Sequence, residues 1–335
     1  MRPRRPVLAC VALVVLMAGA WGFAPFLRDH VLAAFAAAHL QRSTVPTDAL
    51  DRARPGETTV YLVVGSDRRD PAAGSDQGVQ GERADAIMLW AVPITGTVTA
   101  LSLPRDLRVH VPGHGDSKLH GVLAYGPEAL VAAVRALTGI PVHRYVEVEF
   151  SALTRVVDGI GGVLVTVPFA ARDPAVGLDL SGGTQRLDGA TALAYVRSRH
   201  YEERTPAGWV TTAPGDLGRI DRQHGLLHAL FEQASSRCAS LNCLAVLRDF
   251  GASLTVDPGL DGADVRHIMT ALGEADTEIR TVTVPTRPER PADDSLSPFP
   301  PAHLGSLGFR VLDQPAAGEL FRRLRQDVTG GAGTP

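Results

Sequence analysis

The chain has 335 residues, 45% of them apolar and 21% charged, with a formal net charge of −3. That composition supplies enough apolar side chains to bury a core and excludes a disordered chain. A balance this close to neutral also excludes general nucleic-acid binding, which needs a broad basic field.

The N-terminus reads Met1-Arg2-Pro3-Arg4-Arg5, followed by an uncharged apolar run over 6–27. A helix of about 20 such residues spans a bilayer, and its basic flank stays in the cytoplasm. Residues 1–5 are therefore expected to be a cytoplasmic tail and 6–27 a transmembrane signal-anchor. The other reading is a cleaved signal peptide ending at Ala18-Gly19-Ala20. The apolar run continues past that point, which favours the anchor, and either reading exports the chain. An Ala-rich helix over 31–40 and a polar, proline-containing segment over 41–57 read together as a stalk, 28–57.

The main domain is expected over 58–328. Residues 58–64 are β-rich and end in the turn Gly65-Ser66-Asp67-Arg68-Arg69. The Gly-, Asp- and Gln-rich stretch 70–81 reads as a mobile loop. Two paired strands, 86–92 and 98–103, follow, and Leu103-Pro104-Arg105-Asp106 leaves the sheet. Then come a helix over 127–137, opened by a proline, a strand over 145–150, a helix over 151–157 and a strand over 163–167. Asp188 opens a helix to Val196, and Asp216 caps a longer one. On that helix Leu217, Ile220 and Leu227 are expected to face the core, and Arg219, Arg222 and Gln223 to face away. A helix over 263–272, a strand over 279–284, a proline-rich connection over 285–301 and a helix over 316–325 complete the domain. Residues 329–335 read as a disordered tail. Alternating strands and helices predict an α/β fold, a three-layer α-β-α domain around a central mixed sheet.

The chemistry concentrates in arginines. Arg197 and Arg199 are two apart, so on extended chain they point the same way. Arg219, Arg222 and Gln223 share one face of a helix at i, i+3 and i+4. Guanidinium forks match phosphate oxygens in bidentate geometry, so the pattern points to a phosphorylated anion. Asp67 and Asp85 flank strand ends, where two carboxylates can share one hard cation such as magnesium. Arg83 lies close to Asp85, Arg105-Asp106 after a proline reads from spacing alone as a surface ion pair, and Lys118 is the chain's only lysine. Cys238 and Cys243 could close a small disulfide loop or remain thiols.

In this order the segments resemble the LytR-CpsA-Psr family. The resemblance runs from about Thr58 to about Ala234. It rests on Gly65-Ser66-Asp67-Arg68-Arg69, Arg83-Ala84-Asp85-Ala86-Ile87-Met88, Leu103-Pro104-Arg105-Asp106 and Lys118-Leu119-His120 with Ala124-Tyr125-Gly126. It continues with Leu187-Asp188-Gly189, Ala194-Tyr195-Val196-Arg197-Ser198-Arg199 and Asp216-Leu217-Gly218-Arg219-Ile220-Asp221-Arg222-Gln223. His120 stands where an asparagine is usual and Ala84 where a serine is. The resemblance implies transfer of a glycopolymer from a polyprenyl-pyrophosphate carrier to peptidoglycan, at the outer face of the cytoplasmic membrane. It implies Mg2+ on Asp67 and Asp85. Arg83, Arg105, Lys118, Arg197, Arg199, Arg219, Arg222 and Gln223 would bind the pyrophosphate, with Arg105, Arg197 and Arg199 as the catalytic set. Asp106 and Asp216 are positional candidates for a base, and direct transfer without a covalent enzyme intermediate is expected. A lipid pyrophosphatase, or a non-catalytic lipid- or wall-binding protein, are the alternatives.

Overall fold

The computed structural model describes residues 38–54, 56–66, 84–212, 215–237, 251–273, 278–289 and 309–329. The expected anchor, the loop at 70–81, Asp67, Arg83, the cysteine pair and residues 330–335 lie outside these. Among the described residues no helix is long and apolar enough to cross a membrane.

In chain order the strands are β1 (Gln41–Arg42), β2 (Thr59–Ser66), β3 (Ala84–Val92), β4 (Val98–Ser102), β5 (Arg108–Val111), β6 (Gly115–Lys118), β7 (Arg144–Glu149), β8 (Val163–Val167), β9 (Ala171–Asp173), β10 (Leu178–Leu180), β11 (Gly183–Leu187), β12 (Glu202–Thr205), β13 (Gly208–Thr211), β14 (Leu254–Val256) and β15 (Ile279–Thr283). The helices are α1 (Pro127–Thr138), α2 (Phe150–Gly159), α3 (Gly189–Arg197), α4 (Gly215–Arg237), α5 (Gly262–Gly273) and α6 (Ala316–Val328).

The central sheet has seven strands in the order β1-β14-β7-β2-β3-β4-β15. It is mixed: β1/β14, β7/β2 and β4/β15 are parallel and the other pairs antiparallel. Strand β2 shows why it needs cover on both sides. Side chains alternate across a strand, and Val60, Leu62 and Val64 join a core with Leu130 and Val134 of α1 and Phe321 and Leu324 of α6. Tyr61 and Val63 join a separate core with Val265, Ile268 and Ala271 of α5. Helices therefore cover both faces, as the alternation of elements predicts.

A smaller unit packs beside this sheet. The antiparallel β8–β11 pair and the four-stranded sheet β10-β9-β12-β13 share a third core with α3 and α4, including Val163, Leu178, Ala192, Val196 and Leu226. The motif glycine Gly189 fits this packing: a Cβ there would collide with the Thr154 carbonyl oxygen of α2.

Two expectations need correction. Residues 41–57 are no free stalk. Strand β1 pairs with Thr255 and Val256 of β14, Val45 is fully buried and Leu50 nearly so. Burying such side chains stabilises by about 1.5–3 kcal/mol each, so this segment belongs to the domain. A two-residue strand has too little alternation to announce itself. The faces of α4 are also reversed in part. Ile220 is buried, but Leu217 is exposed, whereas Arg219 and Arg222 are 2% and 7% exposed. The apolar-inside rule assigns the side of these arginines wrongly, because both find buried polar partners.

Candidate anion-binding site

The site begins with an irregularity in the sheet. Gly65 pairs with Ala86 and Ser66 with Ala84, so Asp85 is an extra residue on β3 with no partner on β2. A bulge of this kind bends the strand and re-aims a side chain. Asp85 is thus inside β3 rather than before it, and its carboxylate is delivered to the end of the sheet.

Three arginines from three segments meet it there. Arg105 donates through one terminal nitrogen to Asp85 Oδ1 at 2.7 Å. Arg199 reaches the same oxygen at 3.1 Å and Arg219 at 3.3 Å. Arg219 also donates to the Asp85 carbonyl oxygen at 2.7 Å. Asp216, in the first turn of α4, lies 2.5 Å from Arg219 and 3.3 Å from Arg105 Nε. Burial pushes the Asp85 carboxyl up, but the guanidiniums of Arg219, Arg105 and Arg199 outweigh it and hold the group below the ordinary aspartate value. Burial, followed by repulsion from Arg105 and Arg219, pulls Arg199 down from its usual value.

A small pocket opens at this cluster, lined by Asp85, Ser102, Arg105, Asp216, Arg219 and Gln223 among others. Arg105 Nε, Arg219 Nε and both Asp216 oxygens are buried without a well-aligned hydrogen bond. Leaving buried charged groups so poorly satisfied is costly unless a ligand completes them. Among the described residues, Arg105, Arg199, Arg219 and Lys118 face Asp85, Asp106 and Asp216, which leaves an excess positive charge suited to an anion. Among the described residues, all three guanidinium contacts to the Asp85 side chain fall on Oδ1 and none on Oδ2. Magnesium is commonly held by one or two carboxylates plus substrate phosphate oxygens, and a carboxylate oxygen left open beside an anion pocket fits that donor set. Among the described residues no group of three or more His, Cys, Asp or Glu could form an all-protein cage.

The turn carrying Arg105 is fixed by His120. Its amide and its Nδ1 both lie within hydrogen-bonding distance of the Arg105 carbonyl oxygen, at 3.0 and 3.1 Å. Burial lowers the His120 pKa, which favours a neutral ring able to donate from Nδ1. The histidine thus holds this backbone at the position where the sequence departs from the family pattern. Lys118 is paired with Asp106 at 3.0 Å and sits 5.8 Å from the Phe309 ring centre, outside the pocket lining.

Arg222 does not join the anion cluster. Its Nε donates to the Tyr195 carbonyl at 3.2 Å, a terminal nitrogen donates to the Ser198 carbonyl, and the guanidinium stacks 4.6 Å from the Tyr201 ring. It holds the C-terminal end of α3, and the expectation of a phosphate contact is corrected accordingly. Gln223 lines the pocket while its amide approaches the Val196 carbonyl at 3.4 Å. Arg197 is the last residue of α3, two before Arg199.

Three residues that matter here are absent from the sequence reading. Ser102 and His224 join β4 to α4 through a 2.7 Å hydrogen bond one turn beyond Arg219 and Ile220. Asp173, 1% exposed, binds the Ser198–His200 segment. An Asp before a proline signals a turn; it carries no signal for a loop 25 residues downstream.

Fold and site together define an α/β domain with an arginine-built pocket for an anion. The LytR_cpsA_psr family model matches residues 32–297, and the chain belongs to that family. It is 38% identical over 192 residues to "Probable cell wall biosynthesis protein LcpB" of Corynebacterium glutamicum, covering 55% of this chain but 44% of that protein. It is 31% identical over 239 residues to the polyisoprenyl-teichoic acid–peptidoglycan teichoic acid transferase TagT of Bacillus subtilis, covering 69% of this chain and 70% of that one. The structure of a LytR-Csp2A-Psr enzyme from Actinomyces oris superposes with a TM-score of 0.67 at 25% identity, over 85% of this chain and 95% of that one.

Proposed function

We propose that this protein is a membrane-anchored, extracytoplasmic phosphotransferase. It would move a glycopolymer from a polyprenyl-pyrophosphate carrier onto peptidoglycan through a phosphodiester link. The observation that carries this reading is the convergence of Arg105, Arg199 and Arg219 on the bulged Asp85 beside a pocket, with the buried Nε–H groups of Arg105 and Arg219 lacking a well-aligned hydrogen bond. Membership of the family and the transferase named among its relatives supply the substrate class.

Phosphoryl transfer asks a protein mainly to position groups and stabilise charge. Arg105, Arg199 and Arg219 would grip the pyrophosphate oxygens, and Gln223 would orient them from the pocket wall. Asp85, with Asp67 from the neighbouring segment, would hold magnesium, which when bound neutralises charge on the pyrophosphate. An acceptor hydroxyl attacks the glycan-side phosphorus, the bond to the bridging oxygen breaks, and polyprenyl phosphate departs, taking up the hydroxyl proton. Asp106 and Asp216 are each paired with cations, Lys118 on one side and Arg105 with Arg219 on the other. Their role is to hold those cations in place. The apolar run at 6–27 would tether the domain beside its lipid substrate.

The test is a linkage assay with the full-length protein in detergent, using a short-chain lipid-pyrophosphate sugar with and without peptidoglycan oligomers. Magnesium-dependent phosphodiester product, lost in Asp85→Asn, is expected. Lipid phosphate released without linked product in the presence of acceptor would replace the transferase with a pyrophosphatase.

A further inference from the structure

The Arg199 guanidinium can meet Asp85 only if the chain leaving α3 takes one particular path. Asp173, at the end of β9, lies beneath that path. Its Oδ2 accepts from the Ser198 hydroxyl at 2.7 Å, the Arg199 amide at 3.0 Å and the His200 amide at 3.0 Å. Its Oδ1 accepts from the Ala175 amide at 3.1 Å. All four donors are neutral, and Asp173 and Ser198 are 1% and 0% exposed. Burial raises the carboxyl's pKa, but the Ser198 hydroxyl and the His200, Arg199 and Ala175 amides outweigh it, so the group stays ionised.

The consequence is geometric. Peptide units are planar, so anchoring the amides of residues 199 and 200 orients the two planes on either side of the Arg199 Cα. Those planes set the direction in which its side chain leaves. The Ser198 carbonyl and the Arg199 amide belong to one peptide unit, and Arg222 grips that carbonyl from the other side. The unit is clamped at both ends, by a buried carboxylate and a buried guanidinium.

We propose that Asp173 is a positioning residue of the phosphate site, acting through Arg199. It fixes the backbone from which that guanidinium reaches the Asp85 cluster. The assignment rests on the phosphate-site reading above.

The experiment measures inorganic pyrophosphate binding to the full-length protein by calorimetry. The proteins are wild type, Asp173→Asn, Arg199→Ala and the double variant, with thermal unfolding of each as a control. Asp173→Asn keeps the shape of the side chain but places an amide donor among donors. On the proposal, this change weakens pyrophosphate binding roughly tenfold, in line with the losses that follow when a partner orienting a binding group is changed. In the Arg199→Ala background it weakens binding no further, because residues acting as one unit are non-additive. An equal loss in both backgrounds, or unchanged affinity in the single variant, overturns the positioning role. A wild type that does not bind pyrophosphate overturns the phosphate site itself and the role with it. If Asp173→Asn does not fold, Ser198→Ala removes one donor alone; the proposal then requires a smaller loss that likewise vanishes without Arg199.

Discussion

Two arginine-rich regions lie side by side in this domain, and they differ in what they leave unfinished. At the bulged end of β3, Arg105 and Arg219 share carboxylates yet keep a buried Nε without a well-aligned partner, beside a pocket. One helical step away, Arg222 is directed onto two carbonyls and an aromatic ring. Both regions are buried, and Arg219 and Arg222 sit on the same helix. What separates site from scaffold is residual hydrogen-bonding capacity, not burial or charge.

The comparison breaks most visibly in activity. Arg199→Ala removes a side chain that is 37% exposed, so the fold should survive. Transfer should fall about a hundredfold, near 3 kcal/mol of transition-state stabilisation. Steady-state rates alongside an unfolding curve check it; near-wild-type turnover would exclude Arg199 from the site. Arg222→Ala should show the opposite profile. It strands the Tyr195 and Ser198 carbonyls, and denaturant titration should record a loss of roughly 2 kcal/mol. Arg222→Lys should recover little of this, since an ammonium lacks the planar fork. Unchanged stability in Arg222→Ala would erase the distinction between the two regions.

Smaller effects sharpen the boundary. Ser102→Ala should cost about 1 kcal/mol by removing the bond to His224 that ties α4 to the sheet. An unchanged denaturation midpoint would show that the tie contributes nothing. The pH dependence should be gentler still near neutrality. Burial lowers the pKa of His120, His143 and His224. Their folded forms resist protonation while the unfolded chain takes protons near pH 6.5. Stability is therefore full above about pH 6.5 and declines as pH falls below it. Asp85 and Asp173 are shifted below the ordinary aspartate value, so a further loss should set in below about pH 4. Unfolding temperatures measured from about pH 8 to about pH 3 should trace both declines. A flat profile between about pH 7 and about pH 5 would contradict the neutral imidazoles.

Local pattern made the strands and helices legible, because it is written within a few residues. Strand 163–167 has the expected limits, and Asp188 caps α3 through the Thr191 amide as its position suggests. Gathering Arg105, Arg199 and Arg219 required the family resemblance, since their meeting point depends on strand order. Helical spacing put Arg219 and Arg222 on one face, but a three-residue offset turns one toward the pocket and the other toward α3. The bulge at Asp85 depends on register between strands, which neither strand states alone. Asp173 was invisible for the same reason: its partners are distant in sequence and mostly backbone amides, which every residue but proline has.

The burial of Val45 and the pairing of β1 have a consequence for reach. On the proposed anchor at 6–27, about 13 residues separate it from β1 at Gln41, a span of at most roughly 45 Å. A flexible stalk ending at residue 57 would have more than doubled that leash. On the proposed anchoring, such a tether would confine the domain to a thin layer above the lipid surface, and only nascent wall passing through that layer would be within its reach.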